Sequence, residues 1–425
     1  MKLEASKSLL RSRSRQLLQL LRDPLYANSS FLFANTVVGS GLGFAYWLVV
    51  AQLFNASEVG LGTALVAATR LLAELGSSGL GLGVIRFLSH HPKRRADALI
   101  SGSLTFSVCA ALTASIFYLL TLPLWSSKLA FLREPYWALA FVLSAGVWAL
   151  APIIDQIFLA HRAGGAVLGR HLVMHLAKLA IPFALMFAGG TTGVYASFTL
   201  GIAVSLGLGL GFLVFKLRPG YRLSLNFSAL FRSREFLTYS VSNHIGNYLI
   251  NLPSVVLPLI ILNNIGETQA AYYYVAFMIA SVLYSAATSL ATSAFVEGSA
   301  QMHGQTALKK AVKATLFVVV PGMAFLQLVS PILLGLFGSE YLAAKKLLLV
   351  LICAAPFDAA MRLLVTYWRV EKATVTLNMF CALWAAGIVG LSLLANELTQ
   401  IGYAYILGGV PALTFGLIAT RFRRR

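Results

Sequence analysis

Twelve stretches of about twenty or more mostly apolar residues follow one another along this 425-residue chain with only short breaks between them. They lie near 30–53, 60–85, 98–122, 135–160, 168–188 and 193–215, then near 238–263, 268–296, 312–336, 342–367, 373–395 and 400–420. About twenty apolar residues as a helix match the thickness of a bilayer's hydrocarbon core. Nothing else that is compact and water-soluble accommodates twelve of them. With 58% hydrophobic and only 11% charged residues, against about a quarter charged in soluble domains, a soluble enzyme and a disordered chain are both excluded. The fold class is an all-α polytopic membrane protein of about twelve transmembrane helices.

The formal net charge of +19 reads as membrane topology rather than nucleic-acid binding. Twenty-seven Lys and Arg fall on or near one side of the spans: in the N-terminal arm, in the even-numbered loops and the span ends that adjoin them, and in the C-terminal tail. Four, Lys128, Arg133, Lys345 and Lys346, fall on the other, and Arg70 and Lys178 lie within spans. Such an imbalance places both termini in the cytoplasm of a multi-pass protein of the cell membrane, facing anionic lipid. Residues 1–24 read as a basic amphipathic arm on the inner leaflet, since no apolar run long enough for a cleaved leader precedes residue 30. Cys109, Cys353 and Cys381 sit in apolar runs without ligand spacing, so no disulfide framework, metal or cofactor is expected.

The halves resemble each other. Asn35 and, about twenty residues on, Asn55 with Glu58 match Asn243 and Asn263 with Glu267; Pro152 and Asp155 match Pro356 and Asp358. A repeat of six spans about an axis along the membrane normal is the usual frame for alternating access. It divides the chain into an arm (1–24), an N-lobe (25–215), a cytoplasmic linker (216–236) and a C-lobe (237–425).

Ionisable side chains in hydrocarbon cost at least about 2.5–3.5 kcal/mol, so each needs a partner or a wet cavity. Arg70 and Glu74 stand one turn apart in span two, and Asp358 and Arg362 repeat that spacing in span ten; both can be intrahelical pairs or the lining of a cavity. Asp155 lies toward the cytoplasmic end of span four. His171, His175 and Lys178 share one face of span five, and Lys178 has no acidic neighbour on its own helix. Asn243, Asn247 and Asn251 form a stripe along span seven, either interhelical glue or a wall for a hydroxyl-rich ligand. Adding Arg86 and Arg170 near the cytoplasmic mouth tilts the embedded charge positive, as an anionic headgroup requires. No H-E-x-x-H, Walker loop or G-x-S-x-G is present, and the short outer connections offer no acid–base constellation. An enzyme is not expected.

The stretch from Phe33 to Leu88 resembles the opening of the polysaccharide (Wzx-type, O-antigen) flippases of the multidrug/oligosaccharidyl-lipid/polysaccharide exporter superfamily. Asn35-Thr36, the run Ala56-Ser57-Glu58-Val59-Gly60-Leu61-Gly62 and the run Gly79 to Leu88 carry the likeness, with Leu336-Phe337-Gly338-Ser339-Glu340-Tyr341 in the second half. The resemblance implies two six-helix lobes around a central cavity, as in MATE-type transporters. It also implies movement of a polyprenyl-diphosphate-linked oligosaccharide to the outer leaflet, as in lipopolysaccharide or O-antigen biosynthesis. In that frame Arg70, Lys178, Arg362, Arg86 and Arg170 hold the diphosphate, and Asn35, the Asn stripe and His175 face the sugars. Glu74, Asp155 and Asp358 carry a coupling ion or brace the cations. Partners are then the lipid-linked glycan, membrane lipids and glycan polymerase or ligase machinery, with no nucleic acid. A cation-coupled multidrug exporter and a non-transporting partner of a glycan-assembly complex remain open alternatives.

Overall fold

The structure, a computed structural model, describes residues 24–88, 92–225, 228–301 and 304–422; most of the expected basic arm falls outside them. Every long element is a helix, and no strand occurs among the described residues. The N-terminal half comprises α1 (Pro24–Leu53), α2 (Ala56–Ser77), α3 (Leu80–Phe87), α4 (Lys93–Thr121), α5 (Pro135–Ala160), α6 (Gly164–Ala184) and α7 (Gly190–Phe212). The C-terminal half comprises α8 (Arg234–Asn264), α9 (Glu267–Gln301), α10 (Gly304–Gly335), α11 (Lys345–Val370), α12 (Thr374–Leu393), α13 (Leu398–Leu407) and α14 (Val410–Phe422). In hydrocarbon, helices are the open-ended elements that satisfy their own backbone groups, and prolines inside α5, α6, α8, α10 and α11 are tolerated in that setting.

Among the described residues, eleven segments are long and apolar enough to cross a bilayer. The remaining expected span is α6, whose 21 residues carry Arg170, His171, His175 and Lys178. It packs among α1, α5 and α7 all the same. Two expected spans are broken. The second is α2 plus α3, parted at Ser78 and Gly79, which take left-handed conformations (φ 45° and 68°). The twelfth is α13 plus α14, parted at Gly408-Gly409 where the chain crosses closely over Gly387.

The helices form two six-span lobes with the same packing plan. In the first, α1 packs on α6 and α6 on α7, while α2, α4 and α5 pack on one another and α5 on α7. In the second, α8 packs on α12 and α12 on α13 and α14, while α9, α10 and α11 pack together and α11 on α13. The turns after α5 and α11 also match. Arg162 and Lys372 both take left-handed φ (57° and 53°), and Ala163 and Ala373 donate to Phe158 and Trp368 carbonyls five residues back (2.9 and 3.0 Å), a Schellman closure. The embedded acids do not follow the repeat: Arg162 lies ten residues after Pro152 but Lys372 sixteen after Pro356. Asp155 lies seven residues before its turn and Asp358 fourteen before its own, so their depths differ by roughly 10 Å at 1.5 Å per residue.

The lobes meet along α2 and α3 of one and α8 and α9 of the other. Gly60 allows α2 to lie against the Glu267 carbonyl, where any Cβ would overlap it. At the tip opposite the termini, loops join the lobes. Ser57 donates to Glu267 (2.5 Å), Lys128 pairs with Glu267 (3.4 Å) and Ser126 donates to Asn263 (2.7 Å). Gln52 donates to the Leu336 carbonyl (3.0 Å), and Phe44 stands edge-on to Phe337. The chain between α7 and α8 is strapped to α4 through Arg218–Asp97 (2.8 Å), Lys93 to the Pro219 carbonyl (2.9 Å) and Ser101–Tyr221 (2.9 Å).

Candidate functional site

A cavity of about 520 Å³ lies inside the N-lobe among α2, α5, α6 and α7. Arg70 and Glu74 enter from α2, Asp155 from α5, and Arg170, His171, His175 and Lys178 from α6. The spacing along α6 puts all four of its polar residues on this face because residues three and four apart neighbour one another on a helix.

These groups are held very differently. Arg170 is almost wholly buried and grips Asp155 with two hydrogen bonds (Nε–Oδ1 2.7 Å, Nη2–Oδ2 2.5 Å). Its third donor reaches Ser205 Oγ (3.1 Å), and His171 Nε2 stands 2.9 Å from Asp155 Oδ2. This is a closed, mutually satisfied cluster. Arg70 and Glu74 form the expected intrahelical pair (2.8 Å), but the Arg70 side chain is 52% exposed and Glu74 26%. Lys178, only 5% exposed, has no carboxylate in ion-pairing range among the described residues. Its Nζ lies instead over two ring faces, Tyr46 at 4.6 Å and Phe198 at 4.3 Å. Cation–π contact is worth about 2 kcal/mol when desolvated, less than the cost of burying an unpaired ammonium. Counted with Lys178 protonated, the side chains lining the site carry one more positive than negative charge. His175 lines the same wall, its Nδ1 buried and without a hydrogen-bond partner among the described residues.

A second, more polar cavity of about 340 Å³ adjoins it between the lobes, sharing Glu74 and Pro152. Asn247 and Asn251 line it from α8 with His244, opposite Gln156 of α5 and the Ser77–Gly81 break. Asn243 is exposed and bonds back to the Tyr239 carbonyl (2.8 Å), while Asn247 also accepts from Arg369. The stripe therefore divides: Asn247 and Asn251 line this cavity and Asn243 is not among its lining residues.

Other expected site residues stand apart. Arg362 pairs with buried Asp358 (2.9 Å) inside the C-lobe, away from the N-lobe cavity. Arg86 lies over the Tyr239 ring of α8 (4.3 Å), on the seam between the lobes. The Asn35 side-chain oxygen is buried on α1 with no hydrogen-bond partner among the described residues. Tyr46, Phe198, Gln156 and Ser205 had no sequence signal, since an aromatic or small polar residue within an apolar run has no partner until the helices pack.

No family model matches the sequence, and no curated protein does. Solved structures do match in shape. An inward-facing multidrug resistance MATE family transporter of the MOP superfamily superimposes with a TM-score of 0.69, at 15% identity over 91% of this chain and 94% of that one. The chain has the MATE-like fold. The lipid II flippase MurJ in an inward closed conformation gives a TM-score of 0.75 at 14% identity, covering 93% of this chain and 87% of that one. A MOP superfamily transporter from Pyrococcus furiosus, described by the reverse polarity of its binding pocket, gives 0.62 at 17% identity over 95% and 97%.

Proposed function

We propose that this protein is a flippase that moves a polyprenyl-diphosphate-linked oligosaccharide from the inner to the outer leaflet by alternating access of its two lobes. The observation that carries the reading is Lys178, a buried cation with ring faces but no carboxylate around it. A diphosphate supplies the missing negative charge. Arg70, half exposed and loosely paired, can swing from Glu74 to the same ligand, because exposed pairs are worth about 0–1 kcal/mol. Asn247, Asn251 and Gln156 in the adjoining cavity offer hydrogen bonds to sugar hydroxyls. The fold shared with MurJ, whose description names lipid II, supports a lipid-linked cargo. The multidrug-exporter alternative is weaker, because Glu74, Asp155 and Asp358 each already hold an arginine rather than waiting for a cation. The cytoplasmic placement of both termini and assembly with glycan polymerase or ligase machinery belong to the same proposal.

The test is leaflet movement in proteoliposomes of a fluorescent polyprenyl-diphosphate oligosaccharide, run beside a hydrophobic dye cation. Glycolipid translocation that Lys178→Gln abolishes supports the reading. Dye efflux without glycolipid movement overturns it.

A further inference from the structure

A third cavity, of about 390 Å³, lies end to end with the charged one along α6, and its walls are almost wholly apolar. Phe158 of α5, Gly165 and Gly169 of α6, and Leu208 and Phe212 of α7 line it. Leu208 is 58% exposed and Phe212 38%, so the crevice opens at the surface of the lobe and not into its core. Glycines between membrane helices ordinarily bring backbones together. Here a Cβ on Gly169 would meet nothing within 4 Å, so this glycine leaves room instead of making contact.

Arg170 lines both cavities. Its aliphatic stem faces the crevice side, packing beside Gly209, where a Cβ would stand 3.1 Å from Arg170 Cδ. Its guanidinium turns to Asp155 and Ser205. Beyond it, toward Lys178, the same helix carries the cationic face. Read along its axis, α6 therefore presents an open apolar groove and then, within about 13 Å at 1.5 Å per residue, an anion-deficient polar chamber. That order is the order of parts in an amphiphile with an anionic head.

We propose that the crevice between α6 and α7 holds the first isoprenoid units of the cargo, so that the lipid chain is bound by the protein and not left free in the bilayer. The inference rests on the flippase reading above and extends it to the tail. The cationic chamber beyond Arg170 calls for an occupant whose chain ends in an anionic head, as a polyprenyl diphosphate does and a bare hydrocarbon chain does not. Filling the groove at Gly169 removes the tail site without touching the headgroup site.

The experiment measures binding of two probes to the full-length protein in detergent: a long-chain polyprenyl diphosphate and a geranyl-length diphosphate. The variants are Gly169→Phe and, as a control for added bulk, Gly211→Phe, whose Cβ also meets nothing but which does not line the groove. Wild type and Gly211→Phe are expected to prefer the long chain by about tenfold or more, as burial of several methylene groups implies. Gly169→Phe is expected to lose that preference with short-chain affinity unchanged. A preference that survives in Gly169→Phe, or that Gly211→Phe loses equally, overturns the tail site while leaving the headgroup reading intact. Failure of wild type to bind either probe overturns the headgroup reading and the tail site with it.

Discussion

Arg170–Asp155 and Arg70–Glu74 are both arginine–carboxylate pairs, yet burial gives them opposite roles. Arg170 has only 3% of its side chain exposed, is bonded to three groups and cannot leave Asp155 without stranding a charge. Breaking such a pair from one side costs about 3–5 kcal/mol. Asp155→Asn is expected to lower the thermal unfolding midpoint in detergent markedly, and Glu74→Gln, in the exposed pair, to shift it little. Equal shifts would refute the distinction. Headgroup binding should report the reverse order of importance. Lys178→Met preserves bulk against Tyr46 and Phe198 while removing the charge, so folding is expected to survive and diphosphate affinity to fall at least about tenfold, the equivalent of 1.4 kcal/mol. Unchanged affinity in a folded Lys178→Met protein would remove Lys178 from the site.

At the scale of elements, the interrupted second span ties the sequence to the site. Span two reads as one apolar run, and the residues from Gly79 to Leu88 enter the sequence reading only through the family likeness they carry. In the structure Ser78 and Gly79 turn the helix, and α3 restarts against α8. A Cβ on Gly79 would stand 2.5 Å from that of His244, at a φ of +68° that other residues rarely adopt. Gly79→Ala is expected to cost about 1–3 kcal/mol through strain and overpacking, read as a lower unfolding midpoint, and to disturb the Asn247–Asn251 cavity beside it. An unaltered midpoint would mean that the break is soft. Helix α6 shows the converse. Its cationic face was legible as spacing, whereas the pairing of Arg170 with Asp155, fifteen residues away across a turn, was not. An i, i+4 pair such as Asp358–Arg362 is written into one helix; a pair between helices exists only after they pack.

At the scale of the whole molecule, the proposed alternating access makes the tip joined through Glu267, Asn263 and Leu336 the end that would part for the cavities to reach the other side of the membrane. Gly60→Val puts atoms where the Glu267 carbonyl lies. It is expected to hold this tip apart, seen as longer spin-label distances between loops 122–134 and 336–344. Distances that match wild type would show that the seam at Gly60 does not control closure. The membrane class and the all-helical fold were determined by the sequence alone, because a bilayer imposes a fixed apolar length on every crossing. Which charges neutralise each other, which cation is left wanting an anion, and where open space lies beside it were decided only by tertiary structure. Those are properties of distance between helices, and no spacing along a single chain encodes the face that a neighbouring helix presents.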